Sequence, residues 1–172
     1  MCIRDSIDGK PYEIGPKHTS ILKFVKSYVG EKKVPTLCDD PNLAPYGACR
    51  VCSVEVALEK DGPTRVVASC HTPVAENQHI FTSNEALTSL RKNIVELVLT
   101  DHPMECDTCE VNNNCELQTV ANDLGVADHR YNSPKQHKGI PRDTSHDYMR
   151  MNLDNCINLS LIHISEPTRP SS

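Results

Sequence analysis

Residues 35–52 read PTLCDDPNLAPYGACRVC and place three of the chain's nine cysteines in one loop rich in Pro, Asp and Asn. A fourth cysteine follows a short apolar segment, which gives the spacing Cys38-x10-Cys49-x2-Cys52-x17-Cys70. Thiolates are soft ligands that suit iron–sulfur clusters, and a [2Fe–2S] cluster takes four cysteines. The pattern therefore predicts a [2Fe–2S] cluster on Cys38, Cys49, Cys52 and Cys70.

The small residues Gly47 and Ala48 precede Cys49 in this loop. They keep side chains away from the site, so backbone N–H groups can reach the cluster sulfurs and tune the reduction potential. The alternative is structural zinc, because four cysteines also suit tetrahedral Zn²⁺. Zinc ribbons usually pair two Cys-x2-Cys knuckles, whereas Cys38 and Cys70 each stand alone here.

A second ligand set follows, with the spacing His102-x3-Cys106-x2-Cys109-x5-Cys115. One histidine and three cysteines can hold a [4Fe–4S] cluster, and a neutral imidazole in place of a thiolate makes the cluster less negative. Taken alone the set is ambiguous, because three cysteines with one histidine is also a zinc pattern.

Composition limits the class of protein. The chain has 172 residues, only 4% aromatic residues and no Trp. We therefore expect a small hydrophobic core, to which bound metal would add stability. A net charge of −5 argues against nucleic acid as a partner. No signal peptide or membrane-spanning run is evident, which predicts no direct membrane insertion and a cytoplasmic location, alone or at the inner membrane face within a complex. Clustered cysteines in that compartment favour metal over disulfides.

The periodicity predicts a mixed set of elements. Two short strands flank an Asp8-Gly9 turn, a helix covers about residues 20–29, and two strands cover 53–58 and 64–69 around a turn at residues 61–63. Thr82 and Glu85 predict a capping box. The helix after it, residues 83–99, should bury one apolar face, formed by Leu87, Leu90, Ile94, Leu97 and Val98. Another helix starts near residue 115 and ends at 125, before a polar linker from residue 127 to 147.

The two ends of the chain differ from the rest. Residues 1–6 and 159–172 resemble translated sequencing-adapter read-through, so we predict that they are not part of the natural protein. The alternative is genuine disordered termini. The first interpretation implies a chain cut short near Asn158.

Both motifs resemble one family. The sequences PTLC at 35–38, GACRVC at 47–52 and ASC at 68–70 are similar to the N-terminal [2Fe–2S] domain of three groups. These groups are the large subunit of complex I (the NADH-quinone oxidoreductase), the alpha subunit of NAD-dependent formate dehydrogenase, and iron hydrogenases. The sequence from Asp101-His102-Pro103 to CELQ at 115–118 resembles their [4Fe–4S] segment. Among the three groups, residues 115–131 look closest to formate dehydrogenase.

This resemblance implies an α+β chain. A β-grasp ferredoxin-like domain would cover residues 7–82, and a small helical [4Fe–4S] domain would cover residues 83–126. Residues 127–158 would form a linker and the start of a further [4Fe–4S] ferredoxin-type domain. Cys156 matches the first ligand of that domain, but Leu159 stands where the next cysteine is expected, which leaves Cys156 an orphan ligand.

The function implied is that of an oxidoreductase fragment. It would relay electrons between a flavin/NAD(H)-binding subunit and a catalytic domain absent from this sequence, with further [4Fe–4S] clusters and molybdopterin in the full-length protein. We predict no catalytic residue and no turnover by this chain alone, because no Gly-x-Gly loop supports a nucleotide site. The competing class is a zinc-stabilised interaction module.

Overall fold

A computed structural model describes residues 4–59, 62–131 and 141–161 of the chain. The chain divides into two compact units, residues 1–91 together with 159–172, and residues 92–158. The domain boundary predicted from the sequence lies between residues 82 and 83. A mixed sheet with few helices confirms the α+β class.

The first unit contains one five-stranded sheet. Its strands are β1 (Arg4–Ile7), β2 (Lys10–Glu13), β3 (Ser53–Ala57), β4 (Arg65–Ala68) and β5 (His79–Phe81). Their order is β2-β1-β5-β3-β4, with β1 parallel to β5 and the other pairs antiparallel. The predicted turn at Asp8 and Gly9 is confirmed, since both have positive φ, as such a two-residue turn requires. Strand β1 starts at residue 4, inside the segment 1–6 that the sequence analysis set aside.

Helix α1 (Ile21–Tyr28) confirms the first predicted helix and covers the core of the sheet. It begins where the Ser20 hydroxyl accepts a hydrogen bond from Lys23 N–H, at 3.3 Å, which satisfies one of the free N–H groups of the first turn. Its apolar face is fully buried with residues of β1, β3 and β5, among them Ile21, Phe24, Val25, Ile7, Val54 and Ile80.

The predicted hairpin of β3 and β4 is confirmed, with Ser53 opposite Ala68 and Val56 opposite Arg65. Residue 61 of the predicted turn lies outside the described residues. Because the two strands are antiparallel, the end of β4 lies beside the start of β3, next to residue 52. Cys70, which follows β4, is therefore placed close to Cys52.

Helix α2 (Glu85–Thr100) confirms the predicted helix, but two details of the prediction are wrong. Asn84, not Thr82, caps the helix by accepting a hydrogen bond from Leu87 N–H at 2.7 Å. The Thr82 hydroxyl is directed instead to the turn between β1 and β2, where it donates to Asp8 at 2.6 Å.

The buried stripe of α2 also differs from the predicted apolar face. Leu87 is buried as expected, but Leu97 is 55% exposed. The buried positions recur every four residues, as helical geometry allows, and they are Leu87, Arg91, Val95 and Leu99. A charged residue therefore occupies a core position that lies outside the predicted apolar face.

The second unit contains a 3₁₀ turn at Cys106–Thr108 and helix α3 (Glu116–Leu124). The predicted end of this helix at Gly125 is confirmed, because that residue takes the left-handed conformation with φ of 68°. Part of the predicted linker, residues 132–140, lies outside the described residues, and beyond it Asp143 forms an antiparallel bridge with Met151. None of the helices in the described residues is long and apolar enough to cross a membrane.

We expect Phe24→Ala to destabilise the first unit strongly. Phe24 is fully buried beneath the sheet, so the truncation leaves a cavity that costs about 3–5 kcal/mol. Thermal unfolding followed by circular dichroism should show a midpoint lower by more than roughly 10 °C. Leu58→Ala is the control, because Leu58 is 63% exposed and its loss should change the midpoint little. Equal midpoints for the two variants would contradict the described core.

Candidate metal centres

The end of the β3–β4 hairpin brings two of the predicted ligands together. Cys52 immediately precedes β3 and Cys70 lies two residues after β4, and both are buried. Ser69 connects them, since its hydroxyl donates to the carbonyl oxygen of Cys52 at 2.7 Å. Ser69 is itself fully buried, so this hydrogen bond is shielded from water.

The first turn of α1 holds the segment that carries Cys70. The N–H of Leu22 donates to the carbonyl oxygen of Ser69 at 2.9 Å, and the N–H of Ile21 donates to that of Thr72 at 3.0 Å. These bonds use N–H groups that a helix leaves without internal partners. They fix the backbone on both sides of Cys70.

The thiols of the first set are linked in three pairs, which are Cys38–Cys49, Cys38–Cys70 and Cys52–Cys70. Hydrogen bonds from the Cys49 and Cys70 thiols lower the pKa of Cys38, and a hydrogen bond from Cys70 lowers the pKa of Cys52 against the effect of burial. In return, hydrogen bonding to Cys38 raises the pKa of both Cys49 and Cys70. Binding of iron would replace these shared protons, since metals bind thiolates.

The loop before Cys49 approaches the rest of the site closely. Gly47 has φ of +73°, and a Cβ there would lie 3.4 Å from His71 Cβ. The backbone N–H groups of Cys49 and Ala48 donate to the Cys38 sulfur. This agrees with the expectation that a loop of small residues turns its amides toward the sulfurs.

The second set of predicted ligands lines one cavity of about 350 Å³ within the second unit. All four members contribute to its wall, namely His102, Cys106, Cys109 and Cys115. Cys106 and Cys109 are joined by the 3₁₀ turn, in which Cys109 N–H donates to Cys106 C=O at 3.1 Å. Cys115 is the N-cap of α3.

Two further side chains at this cavity were missed by the sequence analysis. Asn155 Nδ2 lies 3.9 Å from Cys109 Sγ, and Arg142 lines the wall while its Nη1 lies 2.8 Å from Glu110 Oε1. Both come from residues 141–158, which the pattern assigned to a linker and the start of another domain. Their proximity to the cysteine loop depends on long-range folding that no local motif encodes. Cys156 is exposed and does not line this cavity.

The donor sets suit iron–sulfur clusters. Eight cysteines of the described residues are free thiols, and soft thiolates are the ligands that such clusters take. At the first set, backbone N–H groups also donate to the Cys38 sulfur.

The comparisons with known families agree with this class of site. Residues 3–85 match the family of the 2Fe-2S iron-sulfur cluster binding domain. Residues 91–130 match the NADH-ubiquinone oxidoreductase-G iron-sulfur binding region. The chain belongs to the family of redox subunits in which these two regions follow one another, and its cofactors are a [2Fe–2S] and a [4Fe–4S] cluster.

Curated relatives and a solved structure show the same relationship. The chain is 36% identical over 138 residues to the NADPH-Fe(3+) oxidoreductase subunit alpha of Geobacter sulfurreducens, covering 80% of this chain and 16% of that protein. It is 33% identical over 131 residues to a subunit of the NADH-quinone oxidoreductase of Escherichia coli, covering 76% and 14%. An NAD⁺-reducing [NiFe]-hydrogenase structure matches with a TM-score of 0.72 and 25% identity, covering 92% of this chain and 63% of that one. The chain thus spans only a small part of the two curated relatives.

We expect Gly47→Val to impair the first centre specifically. A β-branched residue is strained at φ of +73°, and its methyl groups would meet His71 and Ala68. The variant should lose more than about half of its [2Fe–2S] absorbance after reconstitution with iron and sulfide. Gly30→Val is the control, because Gly30 also has positive φ, at +119°, but has no neighbour within 4 Å of a Cβ. Equal losses in both variants would indicate general strain only.

We expect His102→Cys to lower the reduction potential of the second cluster, on the order of 100 mV, because a thiolate adds negative charge. His102→Ala should instead release the cluster more readily. Redox titration followed by electron paramagnetic resonance measures the first effect, and iron content after dialysis measures the second. His146→Ala, at an exposed histidine of the same unit, should change neither. If both His102 variants behave like His146→Ala, the fourth ligand lies elsewhere.

Proposed function

We propose that this chain relays single electrons through a [2Fe–2S] cluster held by Cys38, Cys49, Cys52 and Cys70 and a [4Fe–4S] cluster held by His102, Cys106, Cys109 and Cys115. The convergence of each set is the observation that carries this proposal: the first through mutual thiol hydrogen bonds, the second around one cavity. When bound, each cluster accepts and donates one electron at a time. The protein holds the clusters, limits their contact with water and supplies hydrogen-bond donors to the sulfurs.

A zinc-stabilised module is the alternative for the second site, because three cysteines with one histidine also suit Zn²⁺. The match of residues 91–130 to an iron-sulfur binding region favours a cluster there.

The fold type of the first unit and the electron partner are also part of this proposal. The sheet with a parallel β1–β5 pair and α1 packed on it supports a β-grasp domain in residues 7–82. The three relatives are named for reactions with NADPH, NADH and NAD⁺. We accordingly propose a flavin/NAD(H)-binding subunit as the electron partner.

We propose the catalytic partner only as one of three classes of enzyme, which are formate dehydrogenase, complex I and hydrogenase. None of the three relatives named above is called a formate dehydrogenase. Sequence that adjoins this region in the natural gene would distinguish the three classes. A molybdopterin domain there would support formate dehydrogenase, and a hydrogen-activating domain would support a hydrogenase.

We expect the chain, reconstituted without oxygen, to bind about six iron and six sulfide ions and to give two distinct paramagnetic signals after reduction with dithionite. Cys52→Ser should remove only the [2Fe–2S] signal, and Cys106→Ser only the [4Fe–4S] signal. Cys156→Ser is the matched control, because this thiol is exposed and belongs to neither set. A colourless protein that takes up zinc in preference to iron would refute the proposal.

A further inference from the structure

Arg91 on α2 is a buried cation. Its side chain is only 4% exposed, and it is the one Lys or Arg classed as buried among the residues that the structure describes. Arginine keeps its charge at all ordinary pH values. A charge removed from water is costly unless other charges or hydrogen bonds compensate it.

Hydrogen bonds to two carbonyl groups hold the guanidinium in place. Nη2 donates to the carbonyl oxygen of Ser53 at 2.6 Å and to that of Thr82 at 2.9 Å. Ser53 is the first residue of β3 and directly follows Cys52. The buried charge is therefore tied to the backbone next to a proposed ligand of the [2Fe–2S] cluster.

No carboxylate neutralises this charge at close range. In the described part of the chain, none of the ion pairs includes Arg91, and its Nε has no hydrogen-bond partner. Asp8 acts on Arg91 only through its electrostatic field, because its carboxylate is engaged elsewhere. It accepts hydrogen bonds from Thr82 and lies 3.5 Å from Lys33 Nζ. Burial lowers the pKa of Arg91, and negative charge at Cys52, then at Asp8, acts in the opposite direction.

The remaining source of negative charge is the metal centre itself. Four thiolates and two sulfides outweigh the charge of two ferric ions, and one added electron makes the cluster more negative still. A nearby cation interacts more favourably with the reduced state than with the oxidised state. In a low-dielectric interior this difference is larger than at a surface and is little screened by salt.

We propose that Arg91 is a potential-setting residue: its buried charge, positioned through Ser53 beside Cys52, stabilises the reduced [2Fe–2S] cluster and raises its reduction potential. This inference rests on the proposed function, because it requires a cluster on the first cysteine set. It differs from a purely structural role, in which Arg91 only ties α2 to Ser53 on β3 and to Thr82. A structural role predicts a change in stability without a change in potential.

The test is a redox titration of the reconstituted full chain, with the [2Fe–2S] signal measured by electron paramagnetic resonance. Arg91→Gln and Arg91→Met remove the charge, and Arg91→Lys retains it. At a fixed ambient potential the neutral variants should show a reduced-to-oxidised ratio at least tenfold lower, which corresponds to about 59 mV for one electron. Arg91→Lys should stay within about threefold of the unaltered protein. Arg65→Gln is the matched control, because it removes the same charge from an exposed position on β4 and should leave the ratio unchanged.

The outcomes separate the inference from the proposed function. If the unaltered chain forms no [2Fe–2S] cluster, the proposed function fails. If the neutral variants hold the cluster at the unaltered potential, or shift it no more than Arg65→Gln, the role of Arg91 is refuted. If neither neutral variant assembles a cluster, citrulline at position 91, made by semisynthesis, keeps an NH₂ donor and removes only the charge. An unaltered potential with citrulline also overturns the proposal.

Discussion

The hydrogen bond from the buried Ser69 hydroxyl to the carbonyl of Cys52 is the constraint on which the first centre depends. It joins the backbone on one side of β3 to the backbone after β4, so Cys52 and Cys70 meet at one end of the hairpin. Burial makes this bond costly to break, because the Ser69 side chain has no access to water. The N–H of Ser69 also donates to the same carbonyl, at 3.4 Å. The register of the β3–β4 pair and the hydrogen bonds from the first turn of α1 therefore fix the same short stretch of backbone around Cys70.

Local spacing explains why much of the fold and both ligand sets could be predicted. Ser20 and Gly125 delimit helices through capping rules that act over a few residues, and the turn at Asp8 and Gly9 follows from backbone preference alone. The members of the second set fall within a short stretch of chain, so their proximity needs little tertiary information. The first set was also predicted from its spacing, but Cys70 comes from beyond β4, so its approach to Cys52 depends on the register of the β3–β4 hairpin.

Helix α2 shows where the sequence pattern fails. An apolar face was assigned by hydrophobicity, but the buried stripe contains Arg91 and leaves Leu97 exposed. Similarly, Thr82 has the chemistry of a cap, yet its hydroxyl is used by Asp8 on the turn between β1 and β2. Both errors arise from contacts between residues far apart in sequence. The spacing of apolar residues along one helix carries no information on such distant partners. A charged residue whose charge is compensated by contacts elsewhere in the fold is therefore predicted to lie on the polar surface.

The two proposed centres would limit their negative charge by different physical means. At the second, the ligand set does so directly, since the neutral imidazole of His102 replaces a thiolate. At the first, all four ligands are cysteines, so compensation must come from outside the ligand set. Backbone amides at Ala48 and Cys49 provide part of it, and the buried guanidinium of Arg91 adds a full charge that solvent screens little. A ligand change alters the cluster itself, whereas a buried cation acts through space, so the first potential can be changed without loss of a ligand.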